Sequence, residues 1–284
     1  GQISPEQVRR VLKAHQNENI AAVCLTSPTY EGVTSDIRAI AEIAHQYQIP
    51  LIVDEAHGAH FGFHKDFPQT AVRQGADAVI QSIHKVLPSF TQTALLHVNS
   101  AYLSEERVAE FLGIYETSSP SYILMAGMER CMRLLREDGD ALFERYTGML
   151  HRFYAKMAEL KHLHVMTTQD FTPEEICGLD PSKIVVSTAG TTLTGPGLYQ
   201  RLLEEYHLQM EMVSGFYVLG MTSIADTEEG FDRFAAALQE IDRDISAAEA
   251  DGNTAFIREL YRPKKRELEP YEALEMDTEE VSYD

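Results

Sequence analysis

The sequence predicts an α/β fold: a mostly parallel sheet covered by helices, followed by a smaller α/β domain. Three observations predict it. Helical and strand patterns alternate through the first part of the chain. The strand runs are apolar without interruption, as in strands buried on both faces. The chain has 284 residues, of which 44% are hydrophobic, long enough for a sizeable core and too apolar for a disordered chain.

Ser4, Pro5 and Glu6 supply an N-cap, a first-turn proline and a first-turn acid ahead of Val8, Val11 and Leu12, so a helix to about Gln16 is expected. Ile20 to Leu25 reads as a buried strand, closed by the polar loop Thr26 to Gly32. Ile37, Ile40, Ala41, Ala44 and Tyr47 share one face of a helix from about Ser35 to Gln48. Pro50 then opens the strand Leu51 to Val53, which stops at Asp54. A short helix near Gln69 to Gln74, a buried strand Ala78 to Ile80 and a further strand Thr91 to Val98 follow.

Beyond Leu103 the pattern turns helical, over about 104–112, 121–137 and 140–160, with Pro120 and Gly139 as punctuation. Strands at Lys183 to Val186 and Phe216 to Leu219, and helices at about 196–206 and 228–247, complete the reading. The expected organisation is a first domain over 1–140, a smaller α/β domain over 141–262, and an acidic tail or interrupted element over 263–284. Glu267 to Asp284 holds eight acids and no Lys or Arg.

The charge balance excludes two classes of partner. With 24 Lys and Arg against 44 Asp and Glu, the net charge is −20, whereas nucleic acid and anionic membranes call for a basic surface. No apolar run reaches the roughly 18 to 20 residues of a bilayer helix, and no basic-then-apolar leader opens the chain. Cys24, Cys131 and Cys177 are widely spaced and odd in number, which suits reduced thiols and a cytoplasmic setting. Gly1 stands where a start methionine would, so the chain is expected to begin inside a longer gene product.

Several motifs compete for the chemistry. Asp54-Glu55-Ala56-His57 spells a helicase box, but no Gly-Lys-Ser/Thr phosphate loop accompanies it. His57, His60 and His64 lack the spacing of a zinc site, so ordinary loop histidines are expected and no metal is assigned. No Gly-x-Ser-x-Gly elbow occurs, and Thr192 to Gly197 reads as a turn. There remains a strand ending in Asp54 and, about thirty residues on, a strand ending in Ser82-x-x-Lys85. Ligands of such sheets sit beyond the carboxyl ends of the strands. An acid, an amine and hydroxyl donors there suit a cofactor with a ring nitrogen, an aldehyde and a phosphate, which is the chemistry of pyridoxal 5′-phosphate. The alternative, that Asp54 caps a loop and Lys85 is a surface lysine, stays open on spacing alone.

The run from Leu51 through Asp54, His57 and His60 to Phe63, then Gly75-Ala-Asp77, Gln81-Ser-Ile-His84-Lys85, Leu87-Pro88 and Thr91 to His97, resembles the ornithine/lysine/arginine decarboxylases. These are prokaryotic basic amino acid decarboxylases of pyridoxal-phosphate fold type I. Ser27-Pro-Thr-Tyr30 with Gly32, Ser119 to Tyr122, and Ser223 to Glu229 fit the same pattern. The resemblance implies a partial, aspartate aminotransferase-like large domain plus a smaller α/β domain, without the family's N-terminal segment and C-terminal domain. It implies that Asp54 holds the pyridine nitrogen protonated, Ala56 packs on the ring face and His57 lies near the ring hydroxyl and the substrate. Ser82 and His84 would bind the phosphate, and Lys85 would be the Schiff-base lysine. Ser118, where the family usually has Thr, would reach the phosphate of a partner subunit, so a homodimer or higher homo-oligomer is implied. Val86 replaces a common Thr.

The implied reaction is decarboxylation of lysine, ornithine or arginine to a polyamine precursor. Leu202 to Asp232 contains no Lys or Arg, where related aminotransferases place a carboxylate-binding Arg. Clamping the departing group would stabilise the ground state, so the absence favours decarboxylation. Glu211 faces either a cationic substrate side chain or solvent. The competing expectations are a catalytically incompetent fragment or regulatory paralogue, with the N-terminal segment possibly supplied as a separate chain, or a related aminotransferase or acyltransferase.

Overall fold

The computed structural model describes residues 2–247 and residue 276. Helix α1 (Pro5–Ala14) starts from a complete capping box, in which Ser4 and Gln7 satisfy each other's backbone N–H groups. Strand β1 (Val23–Thr26) begins later than the apolar run suggests, and β2 (Val33–Thr34) is a two-residue strand. Helix α2 (Ile37–Gln46), capped by Asp36, turns Ile37, Ile40, Ala41, Ile43 and Ala44 inward. Strand β3 (Leu51–Asp54), a single 3-10 turn at Ala71–Gln74, β4 (Ala78–Gln81), the short helix α3 (Ile83–Val86) and β5 (Leu95–Val98) complete the first half.

β1, β3, β4 and β5 form one sheet in that order. β1 and β4 run parallel to β3, and β5 runs antiparallel to β4. The register sets Thr26 beside Asp54 and Asp54 beside Ile80, so the carboxyl ends of three parallel strands share one edge. Leu25, Leu51, Val53 and Val79 pack there with Ile37, Ile40 and Leu12. The strand expected from Thr91 is shorter, because Gln92 takes a positive φ of 80° in the turn before β5.

Helix α4 (Glu105–Tyr115) buries no residue. Helix α5 (Tyr122–Met157) is one uninterrupted helix of 36 residues, in place of the two helices expected around Gly139. Gly139 costs a helix interior about 1 kcal/mol, and Leu135, Phe143 and Tyr146, all buried on either side of it, hold the helix through that point. Position 140, the expected end of the first domain, lies inside this helix.

β6 (His164–Val165), β7 (Gly178–Leu179), β8 (Lys183–Ser187), α6 (Gly195–Tyr206), β9 (Met212–Ser214), β10 (Tyr217–Met221) and α7 (Glu228–Asp244) follow. The second sheet has the order β6-β8-β10-β9 and is antiparallel throughout. Thr192 to Gly197, expected as a turn, leads directly into α6, which Thr194 caps. β2 pairs with β7, joining Val33 to Leu179 and Thr34 to Gly178 across the sequence. Phe143, Phe153, Ile184, Val186, Leu198, Val218, Phe234 and Leu238 form a core that also takes in Ala59, Phe67, Ile83, Val86 and Leu87. The loops after β3 and β4 are therefore anchored in the core beneath the second sheet. The expected tail over 263–284 lies outside the described residues apart from residue 276.

Candidate active site

Asp54 ends β3 because the buried run Leu51–Val53 gives way to a polar loop, and its carboxylate accepts a hydrogen bond from the Ala56 N–H at 3.0 Å. One strand over, Gln81 ends β4 and Ser82 caps α3 without spending its hydroxyl on the helix. That leaves the Ser82 hydroxyl uncommitted. His84 donates from Nδ1 to the Thr93 carbonyl at 2.8 Å, which places its proton there and leaves Nε2 for another group. Lys85 sits one residue on, about 100° round the helix, and is exposed.

The Lys85 Nζ lies 3.2 Å from the His57 Nε2. Asp54, Ala56, His57, Ser82, His84 and Lys85 thus occupy two adjacent segments at one sheet edge, the end of β3 with its loop and the start of α3. Ser118 does not join them: it lies in the exposed turn between α4 and α5.

Burial first, then the positive charges of Lys183 and Lys85, push the His57 imidazole down to about 4. Asp54 and Asp180 oppose this. A neutral His57 accepts from Lys85 at Nε2 and carries its hydrogen on Nδ1, which is buried with no partner among the described residues. Tyr30 tilts against the same ring, 4.5 Å between centroids, and its hydroxyl donates to Glu211. That bond, with burial and the Glu211 charge, raises the Tyr30 phenol to about 12. Glu211 is exposed but held from one side, so it fits neither expectation fully.

The three clustered histidines turn to different partners: His57 to Lys85, His60 to Asp180, and His64 to Glu144 and Asp66. Glu55 points away from the edge into a buried network. It accepts from Thr70, Ala71 and Gln81, and burial raises it to about 7 against those three donors.

Two contributors escaped the sequence reading. Tyr30 stands in the sequence within a polar loop and in the run Ser27-Pro-Thr-Tyr30 of the resemblance, with no role assigned to it. Lys183 opens β8 fully buried, 0% exposed, and its charge acts on His57 and interacts with those of Lys85, Asp180 and Glu211. It lies outside the stretch from Leu202 to Asp232, so a cation does stand beside the site in the second half of the chain. Its signal in the sequence is a lysine heading the apolar run Ile184–Val186.

The donor set fits pyridoxal 5′-phosphate. An acid ends one strand, an amine and an unspent hydroxyl open the next helix, and an orphaned imidazole nitrogen stands between them. Such a set matches a pyridinium, an aldehyde, a phosphate and a ring hydroxyl.

Comparison with known proteins agrees. The model of the Orn/Lys/Arg decarboxylase major domain matches residues 1–180. The arginine decarboxylase of Bacillus anthracis is 29% identical over 282 residues, covering 99% of this chain and 57% of the relative. The arginine decarboxylase of Bacillus subtilis is 29% identical over 244 residues, 86% of this chain and 49% of the relative. The chain therefore spans about half the length of the curated relatives it matches. A solved lysine decarboxylase from Francisella novicida superposes with a TM-score of 0.68 at 18% identity, over 85% of this chain and 40% of that one. An alanine–glyoxylate aminotransferase from Nostoc does so at 0.65 and 15% identity, over 85% and 66%. The fold is that of fold type I pyridoxal-phosphate enzymes, and by its major domain this chain belongs to the ornithine/lysine/arginine decarboxylase family.

Proposed function

We propose that this chain carries the cofactor and substrate machinery of a pyridoxal 5′-phosphate-dependent decarboxylase. It acts on a basic amino acid, giving carbon dioxide and an amine that serves as a polyamine precursor. The observation that carries this reading is the Lys85–His57 contact at 3.2 Å beside the Asp54 strand end, inside a family of basic amino acid decarboxylases.

In this reading Asp54 balances the proton on the ring nitrogen, Ala56 lies against the ring, and His57 lies by the ring hydroxyl. Ser82 and His84 hold the phosphate, and Lys85 holds the aldehyde. Bound there, the cofactor supplies an electron sink for the bond to the carboxylate. Glu211, fixed by Tyr30, receives the cationic end of the substrate. Arginine, the substrate in the names of the Bacillus relatives, comes first among candidates, ahead of lysine and ornithine.

The second subunit of a homodimer covers α4 and the start of α5. Ile114, Tyr115, Tyr122 and Ile123 are exposed there at 63, 82, 81 and 73%, with a groove of about 510 Å³ between Phe90 and Ile123. Ser118 lies on this face, which suits a hydroxyl that serves the partner's site. No helix among the described residues is long and apolar enough to cross a membrane, and we place the protein in the cytoplasm.

The test is direct. Protein mixed with pyridoxal 5′-phosphate should absorb near about 420 nm, and borohydride should fix the pyridoxyl group on Lys85. Arginine should then yield carbon dioxide and agmatine. Labelling of another lysine, or none in folded protein, overturns the cofactor reading. A keto acid product moves the reaction to transamination.

A further inference from the structure

A charged side chain removed from water is costly unless something pairs with it. Lys183 is wholly buried, yet its Nζ has no hydrogen-bond partner among the described residues. The two carboxylates nearest in electrostatic terms, Asp180 and Glu211, are both committed elsewhere. Asp180 accepts from the Ser182 N–H at 2.9 Å and the Ser182 hydroxyl at 2.8 Å, and meets the His60 Nε2 at 3.1 Å. Glu211 accepts from Tyr30. These acids offset the Lys183 charge at a distance without capping it, so its field reaches the neighbouring basic groups.

The backbone fixes that neighbourhood. Gly32, at φ +93°, lies directly on the Lys183 stem: a Cβ there would stand 2.9 Å from both the Lys183 Cβ and Cγ. Two residues earlier, Tyr30 packs on the His57 ring. One loop therefore spans from the buried lysine to the buried imidazole, and both present nitrogens without a hydrogen-bond partner among the described residues, Lys183 Nζ and His57 Nδ1.

We propose that Lys183 is a positioning residue: its buried ammonium keeps a second positive charge off His57, so the imidazole nitrogen facing Lys85 stays a hydrogen-bond acceptor. A charged His57 would set two cations against each other 3.2 Å apart. A neutral one accepts a hydrogen bond from the Lys85 amine and holds it in place. Lys85 from α3 and Tyr30 from the loop after β1 touch His57, and the charges that act on it are those of Lys183 from β8, Lys85, Asp54 from β3 and Asp180 from the loop before β8. Lys183 in turn meets Asp180, Glu211 and Lys85. Burial above all, with Lys85, holds the Lys183 ammonium below its ordinary value, against Asp180 and Glu211, which raise it. The consequence for Lys85 rests on the function proposed above, but the electrostatic claim does not.

The experiment is therefore run on cofactor-free protein. Lys183→Met keeps the length of the side chain and removes the charge. In the variant, the His57 titration followed by NMR should move up by about one pH unit or more, with circular dichroism showing an unchanged fold. A rise smaller than about half a pH unit in folded variant overturns the proposal. A second measurement needs no variant. The Lys183 Cε resonance of the wild-type protein should remain that of an ammonium through the whole His57 titration. Loss of its proton at or below the pH where His57 titrates overturns the proposal as well. Failure of pyridoxal labelling at Lys85 would leave both results standing, so the two readings fail separately.

Discussion

Gly32→Ala tests how tightly the loop after β1 is closed on the second half of the chain. The added methyl would meet the Lys183 Cβ and Cγ at 2.9 Å and the Asp180 Cβ at 3.2 Å. Both residues are 0% exposed, so neither side chain has room to withdraw. The Gly32 backbone is also pinned, with its N–H on Thr29 at 3.0 Å and its carbonyl accepting from Asp180 at 2.9 Å. An L-residue at this positive φ costs about 1 to 2 kcal/mol, and overpacking a closed site adds about 1 to 3 kcal/mol. The expected loss is therefore about 2 to 5 kcal/mol, read from urea denaturation midpoints at constant slope. Lys183→Ala removes the Cγ overlap, so the double variant should recover about 1 kcal/mol relative to the sum of the singles. A loss below about 1 kcal/mol for Gly32→Ala, or strict additivity in the double variant, would refute the packing argument.

Three further outcomes are expected. Asp242 accepts from the backbone N–H groups of Lys161, His162 and Leu163 at 2.8, 2.8 and 2.7 Å, so Asp242→Ala should cost about 3 to 5 kcal/mol. Burial opposes it, but those three donors hold the Asp242 carboxyl below its ordinary 3.8. Its contribution is complete above that value and is lost as pH falls through the lower folded value. Acid titration of stability in Asp242→Asn should lack that component. Glu55 behaves in the opposite sense: raised from 4.5 to about 7, it favours the fold below 4.5 and loses that favour as pH rises through 7. The loss amounts to about 3 kcal/mol, and the difference between urea midpoints at about pH 5 and about pH 7.5 should shrink in Glu55→Gln. Lys85→Ala should abolish borohydride labelling by pyridoxal phosphate while leaving the unfolding free energy within about 0.5 kcal/mol of wild type, because the side chain is exposed; a large stability loss would assign Lys85 a structural role.

What could be read in advance was local. The Ser4 cap, the face of α2 and the two apolar runs ending at Asp54 and Gln81 all depend on neighbours in sequence, and each appears where its pattern places it. The site edge follows from those strand ends, which is why Asp54, His57, Ser82, His84 and Lys85 fall into two adjoining segments. What escaped was non-local. β2 and β7 have two residues each and exist because Val33 meets Leu179, a pairing no window of sequence contains. Gly139 signals a break when read alone, and only the buried residues around it keep α5 whole. A lysine at the head of a strand resembles a solvent-facing one until the loop at Gly32 closes over it.

α5 has a mechanical consequence. At 1.5 Å per residue its 36 residues make a rod about 54 Å long. Its first turns present bare aromatic and aliphatic groups, and from Cys131 onward it is embedded among the side chains beneath the second sheet. Whatever seats on the bare end is thereby held at a set distance and angle from β8 and β10. The rod acts as a ruler: the placing of its bare end is inherited from the interior of the protein, and a kink introduced at mid-length would shift that end without touching a single group on it.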